Sequence, residues 1–295
     1  ISIGSGFFIK DNYILTCSHC VINSKDIFIE IPIEGKKKFK VELLGVCPEM
    51  DIALLKSVEY KSKEHFLLGD SKKINSGDEV YAIGFPLGQD NLKITKGIIS
   101  GRQFSNLQTD TPLNPGNSGG PLLFNNKVIG INASIITKSN NIGYAIPISQ
   151  YNVIKKELYD KKIKLIKRPF IGFDYNNTNS DLLKIKKSKH TGVLINKIYN
   201  NSPILKCGLK EGDILISIDN NKIDNYGLIK SKITKEKIDF TDIFNTFQNN
   251  QKIQIKYNRN NKLYTKSYTN SYYELPINEI YPRFDNIEYE VLGGI

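Results

Sequence analysis

The run Gly116-Asn117-Ser118-Gly119-Gly120 constrains this chain most. A serine flanked by glycines belongs on a tight turn, because glycine reaches backbone angles closed to other residues. By itself the run reads equally as a flexible turn. Two other segments change that. Thr16-Cys17-Ser18-His19 places a histidine at the end of an apolar strand, and Asp51 stands at the mouth of Ile52-Ala53-Leu54-Leu55. Taken singly, His19 reads as a packed histidine and Asp51 as a strand-end cap or surface carboxylate. Together they occur in the order His, Asp, Ser, one of the chain orders in which a Ser-His-Asp triad is built.

A free hydroxyl is a poor nucleophile, so Ser118 needs a base within hydrogen-bond reach. His19 is the candidate, since imidazole takes and returns protons near neutral pH. Asp51 would accept the other ring N–H and hold the imidazole in one tautomer. The turn Gly116, Asn117, Ser118 is the candidate oxyanion hole, with the Gly116 and Ser118 amides aimed into one concavity. His65 and His190 lie in polar, Lys-rich stretches and read as solvated.

Residues 1–150 read as many short strands. Apolar runs such as Val80-Tyr81-Ala82-Ile83 and Lys127-Val128-Ile129-Gly130-Ile131 are bounded by Gly, Asn, Asp and Pro, the pattern of all-β barrels. Ser149 is the expected N-cap of a helix carrying Val153, Ile154 and Leu158 at helical spacing. Residues 151–168 form that helix and a basic linker, 169–270 a second domain, and 271–295 a tail.

The first 150 residues resemble the HtrA/Deg serine proteases. The resemblance rests on Gly4-Ser5-Gly6-Phe7-Phe8-Ile9, Tyr13 to His19, Asp51 to Leu55, Gly77 to Pro86, Thr109-Asp110, Leu113 to Leu122 and Gly143-Tyr144-Ala145-Ile146-Pro147. It implies a mostly β fold, two perpendicular six-stranded β-barrels with the site between them. It also implies ATP-independent endoproteolysis of unfolded or damaged polypeptides, in protein quality control and stress response. The later part of the chain is most similar to the eukaryotic, plant-type Deg subgroup.

Three departures from the family pattern stand out. Gly101 to Gln108 is very short where a longer regulatory loop is usual. The sequence begins almost on the Gly4-Ser5-Gly6-Phe7 strand, so a fragment of a longer chain is expected. Cys17 and Cys20 flank Ser18-His19, where Asn-Ala-His-Val-like residues are more usual.

The position six before the nucleophile, Pro112, is expected at the base of the S1 pocket. Ile131, Asn132 and Ala133 resemble the strand that lines that pocket and pairs with substrate. Phe170-Ile171-Gly172-Phe173 and the strand after it resemble the carboxylate-binding loop of a PDZ domain. Asn201 to Leu215 resembles the PDZ segment of the same proteases. Such a loop offers amides to a peptide C-terminus, which adds as a strand to the sheet edge. Asn176 to Lys189 reads as a mobile Asn/Lys-rich insertion, and Asp224 to Phe240 as an extra-long hairpin. In the tail, Tyr272, Tyr273, Tyr281 and Tyr289 either pack on the PDZ domain or begin a second one.

Composition narrows the alternatives. With 40% hydrophobic and 24% charged residues the 295-residue chain has material for two cores and is not bulk disorder. It has no run of 18 apolar residues, hence no membrane-spanning helix. The first residues carry no visible targeting signal, which leaves the compartment open. Cys17, Cys20, Cys47 and Cys207 do not make a disulfide framework. Cys17 and Cys20 bracket His19, but no second Cys or His pair completes four ligands, so no metal and no cofactor is expected. A thiol beside the base could be redox-sensitive.

The net charge of +11 is uneven: residues 151–168 hold seven basic against two acidic side chains. Without interleaved aromatic residues this reads as a solvated helix face and linker rather than a nucleic-acid site. The expected activity is a serine endopeptidase acting on unfolded polypeptides and peptide C-termini, homo-oligomeric when full length. The alternative is a peptide-binding, chaperone-like protein with an idle protease site.

Overall fold

The computed structural model describes residues 3–103, 105–135, 142–231, 236–275 and 280–285. The N-terminal part holds two sheets. The first comprises β1 (Phe7–Lys10), β2 (Tyr13–Thr16), β3 (Ile27–Glu30), β4 (Lys38–Cys47) and β5 (Ile52–Ser57), in the order β1-β2-β5-β4-β3. Five strands, not six, make this unit among the described residues. Along β4, Phe39, Val41 and Leu43 are buried while Lys38, Lys40 and Glu42 are exposed, the period-two alternation of a half-buried strand.

The second sheet is a closed six-stranded barrel. It runs through β6 (Glu79–Gly84), β7 (Lys93–Gln103), β8 (Asn106–Thr109), β9 (Pro121–Phe124), β10 (Lys127–Ile135) and β11 (Gly143–Pro147). The short Gly101–Gln108 segment is the β7–β8 hairpin, in which Gln103 pairs Asn106 directly.

The two sheets share one seam. Phe7, Leu15, Cys17, Ile52 and Leu54 of the first pack with Val128, Ile131 and Ile146 of the barrel in a single buried cluster. Helix α1 (Ile148–Leu158) closes the cluster with Ile148, Tyr151, Ile154 and Leu158, one apolar stripe. The helix begins a residue before the expected cap. Pro147 holds the N-cap position, and the Ser149 amide donates to the Ser71 hydroxyl at 3.1 Å. A tertiary acceptor thus replaces the local cap. Gly45 allows the close approach of α1 to β4, since a Cβ there would stand 2.9 Å from Leu158 Cα.

Lys155, Lys156, Lys161, Lys162 and Lys164 are exposed, as a solvated face requires, while the linker backbone is built into the structure. The Ile166 amide donates to Val46 O and the Val46 amide to Lys164 O, each at 2.8 Å, so the linker runs alongside β4. Arg168 Nη1 donates to Asn249 Oδ1 at 3.2 Å, and Nη2 to the carbonyls of Phe244 and Phe247. Its guanidinium thereby fastens the second domain.

That domain is a sheet of β12 (Phe173–Asn176), β13 (Val193–Ile198), β14 (Ile214–Ile218), β15 (Asn221–Lys222), β18 (Gln251–Arg259) and β19 (Lys262–Asn270). β12 is an edge strand. The insertion at 224–240 forms a small hairpin of β16 (Leu228–Lys230) and β17 (Lys237–Asp239). The segment expected to be a mobile loop, Asn176 to Lys189, instead holds helix α2 (Ser180–Ile185). Asn179 Oδ1 caps it by accepting the Leu182 amide at 2.8 Å. Buried Thr178 ties its start down through Gly192 O and the Asn225 carbonyl.

The tail splits between the two domains: Tyr273 is buried beside Tyr199 and Asp174 of the second domain. Tyr281 and Phe284 pack against the outer cluster of the first sheet, and Asp285 pairs with Lys167 at 2.8 Å. Tyr289 lies outside the described residues. No helix among the described residues is long and apolar enough to cross a membrane.

Candidate active site

The histidine and aspartate meet at the seam. His19 lies in a 3-10 turn, Ser18–Cys20, directly after β2. Asp51 precedes β5 with φ +52, an uncommon angle for a non-glycine residue. Asp51 Oδ2 is 2.7 Å from His19 Nδ1, and Oδ1 accepts the His19 amide at 2.9 Å. The Asp51 carbonyl also accepts the Ser18 amide at 3.2 Å. One residue thus fixes both the ring and the backbone that carries it.

These contacts hold the imidazole in its charged form. The His19 pKa is pushed up to about 10, chiefly by the hydrogen bond to Asp51 and next by the Cys20 side chain, against an opposing contribution from burial. His65 and His190 are exposed and away from the site.

Ser118 follows a turn with a definite chemistry. The Asn117 amide donates to Asn114 O at 2.9 Å, with Pro115 at the second position and Gly116 at the third. Gly116 has φ +100, as the third position of a type II turn requires. A Cβ on Gly116 would also stand 2.3 Å from Phe85 O. Because the turn uses the Asn117 amide, Asn117 is not an oxyanion donor. The Gly116 and Ser118 amides donate to no protein acceptor among the described residues.

The nucleophile segment is stapled to the first sheet by Ser5, a residue to which the sequence assigned no role. The Ser5 amide donates to Ser118 O at 2.7 Å, and its hydroxyl donates to Gly116 O at 2.7 Å while accepting the Phe85 amide at 3.0 Å. Thr16 Oγ1 in turn donates to Ser5 O at 2.7 Å. On the other side the Gly119 amide donates to Asn132 O at 2.7 Å. The sequence signals for Ser5 were its place between two glycines and within the Gly4 to Ile9 stretch that carries the family resemblance. The Ser118 hydroxyl donates to Ala133 O at 2.8 Å. It is therefore turned toward β10.

Beside Ser118 is a small cavity of about 30 Å³, lined by Leu113, Asn114, Pro115, Asn117, Ser118, Asn132 and Ala133. Two residues expected there are elsewhere. Pro112 is exposed, with its carbonyl accepting Thr95 Oγ1 at 2.9 Å; Leu113, next in the chain, points inward instead. Ile131 is fully buried in the seam cluster, and only Asn132 and Ala133 of that stretch reach the cavity.

In the second domain a groove of about 550 Å³ runs between Phe170, Ile171, Phe173, Asp174 and Tyr175 on one side and Thr241, Phe244 and Asn245 on the other. It lies along the open edge of β12. Gly172 is not among its lining residues. It has φ +86 and its carbonyl accepts the Tyr199 amide at 3.0 Å. Asn245 also reaches the barrel, donating to Ser105 Oγ in the β7–β8 turn at 3.2 Å.

Residues 4–131 match the trypsin-like peptidase domain. A probable periplasmic serine endoprotease, DegP-like, of Pseudomonas putida (strain GB-1) is 38% identical over 237 residues, 75% of this chain and 48% of the relative. A DegP-like relative from Marinomonas sp. (strain MWYL1) is 34% identical over 253 residues, 81% of this chain and 52% of the relative. The chain spans about half the length of these curated relatives. Among solved structures, the HtrA-type protease AlgW with a tripeptide aligns with TM-score 0.74 and 27% identity over 93% of this chain and 91% of that one.

With only three histidines in the chain, the His19 ring can be followed directly by NMR in a Ser118→Ala protein. Its titration midpoint should lie well above 6.5. Asp51→Asn should bring it down, because the carboxylate is what stabilises the charged ring. A wild-type midpoint at or below 6.5 contradicts this account of the pair.

Proposed function

Since the chain belongs to the DegP-like, HtrA-type branch of the trypsin-like serine proteases, we propose that it is an ATP-independent serine endopeptidase acting on unfolded polypeptides. The observation that carries the reading is the doubly bonded His19–Asp51 pair, set across the seam from a serine on a glycine-shaped turn. In the proposed cycle the Ser118 hydroxyl turns from Ala133 O to His19. His19 takes its proton as Ser118 attacks the scissile carbonyl, and Asp51 stabilises the imidazolium. The Gly116 and Ser118 amides receive the oxyanion, each worth about 3–4 kcal/mol. His19 then protonates the leaving amine, and water releases the acyl group by the same steps in reverse. The family likeness supports assembly of the full-length protein into a homo-oligomer.

A second reading is a peptide-binding, chaperone-like protein whose protease site is idle. The Ser118 hydrogen bond to Ala133 O favours it, because a hydroxyl held there is not activated. Casein cleavage decides between the two. The peptidase reading expects Ser118→Ala to lose about 10⁶ in kcat. Wild-type kcat/KM should rise with pH through a midpoint above 6.5, since only neutral His19 can act as base and its pKa is raised. Equal rates for wild type and Ser118→Ala would remove Ser118 from the mechanism.

Cleavage is expected after small aliphatic residues. The cavity beside Ser118 has the volume of roughly one water, and Leu113, Pro115 and Ala133 give it apolar walls. Among the described residues no charged side chain lines it, so a Lys or Arg would find no partner among them. Leu113→Ala should widen the preference toward larger residues. A peptide-library profile dominated by Lys or Arg before the cut would overturn the assignment.

The groove along β12 is proposed to take apolar peptide C-termini by strand addition, with Phe170, Ile171, Gly172 and Phe173 at its carboxylate end. Peptides ending in Val or Leu, titrated against full-chain Ser118→Ala, should bind as free acids and weaken at least tenfold as amides. Equal affinity of the two forms would make this domain a spacer or assembly element.

A further inference from the structure

The sequence offers Cys17 and Cys20 around His19 and no second Cys or His pair to complete a ligand set. The fold adds Asp51. The ligand atoms of Cys17, His19 and Asp51 all lie within 4.8 Å of one another. Around a tetrahedral zinc, with bonds of about 2.0–2.3 Å, ligand atoms stand roughly 3–4 Å apart, so a small adjustment, in which the 2.7 Å His19–Asp51 contact opens slightly, brings the three donors onto one ion. A thiol, an imidazole and a carboxylate are each established zinc donors.

We propose that Cys17, His19 and Asp51 form an inhibitory site for a thiophilic divalent cation of the Zn²⁺ class. The inhibitory part rests on the protease reading, since the ion would occupy the same His19 and Asp51 that proteolysis needs. Cys17 is fully buried beneath the pair, and its thiol donates to Asn132 O at 3.3 Å. Burial and the neighbouring Asp51 charge hold that thiol in its protonated form. An ion at the point where Cys17 and Asp51 converge takes the place of two protons, that of the Cys17 thiol and one from the charged His19 ring, and both leave to solvent. His19, half exposed, lies on the side from which the ion enters and where water supplies a fourth ligand. The consequence is competition for the base. A metal-bound imidazole cannot accept the Ser118 proton, and a metal-bound carboxylate no longer orients the ring.

The test uses the full chain as Ser118→Ala, so that binding is read without activity. Cobalt(II) is the probe, because thiolate ligation gives a charge-transfer band in the near ultraviolet. One equivalent of Co²⁺ should raise that band, Zn²⁺ should displace it, and the His19 ring resonances should shift. Cys17→Ser should abolish the band and weaken Zn²⁺ binding at least tenfold, while Cys20→Ser retains both. Cys17→Ala serves if the serine variant fails to fold. With wild type, Zn²⁺ should inhibit peptide cleavage, with relief by a chelator. Absence of the thiolate band, its survival in the Cys17 variants, its loss in Cys20→Ser, or unmoved His19 resonances would overturn the site. A wild-type protein that binds Zn²⁺ through Cys17 but cleaves nothing would overturn the protease reading and leave the metal site standing.

Discussion

Asp51 holds the site together because it bonds one short turn in three ways. Its two carboxylate oxygens take the His19 ring and amide, and its carbonyl takes the Ser18 amide. The residue has a positive φ, a conformation that costs of order 1 kcal/mol or more and persists where the surroundings over-determine it. Here the surroundings are β5 on one side and the seam cluster on the other. The charge on Asp51 then sets the chemistry. It raises the His19 pKa and adds to the burial that chiefly keeps the Cys17 thiol protonated. The histidine is thus strongly basic as well as well oriented, and its neutral form is reached only at raised pH.

The nucleophile is positioned by a different means. No charge holds Ser118; backbone hydrogen bonds and glycine space do. Ser5 ties the turn to the first sheet, and Asn132 ties it to the barrel. A Cβ at Gly119 would stand 2.1 Å from Ser5 O and 2.2 Å from Thr16 Oγ1, so nothing larger than glycine fits between the staple and the turn. The two halves of the site therefore depend on the same packed seam. That seam is continuous with α1, and through α1 and the linker with the second domain. Arg168 and the Asn245–Ser105 contact are where that connection is made by specific bonds.

Much of this was legible in the sequence, for reasons that differ by element. The strands could be read because alternation along a segment such as Lys38 to Leu43 reports one wet and one dry face. The turn at Ser118 could be read because Pro115 and Gly116 each permit few backbone angles. His19, Asp51 and Ser118 could be read from order and context. Residues whose importance lies in a distant partner were not legible. Ser5 is an unremarkable serine until the chain returns to it 111 residues later. Pro112 and Leu113 differ by one position, and only the packed barrel says which of the two faces inward. The Asn176 to Lys189 segment reads as a loop from composition, but it holds a helix with one Asn cap and one buried threonine at its start.

The sequence by itself determined the β character of the chain and the glycine-dependent turn, because these follow from local periodicity and local backbone limits, and it marked the three candidate catalytic residues by their type and chain order. The tertiary structure alone decided which donors converge. It gave the Asn117 amide to the turn, turned the Ser118 hydroxyl toward Ala133, and brought Cys17 under the His19–Asp51 pair. It also laid Tyr281 and Phe284 on the first sheet rather than on the second domain. Hydrogen bonds and apolar contacts between residues far apart in sequence leave no periodic trace, so they appear only when the chain is folded.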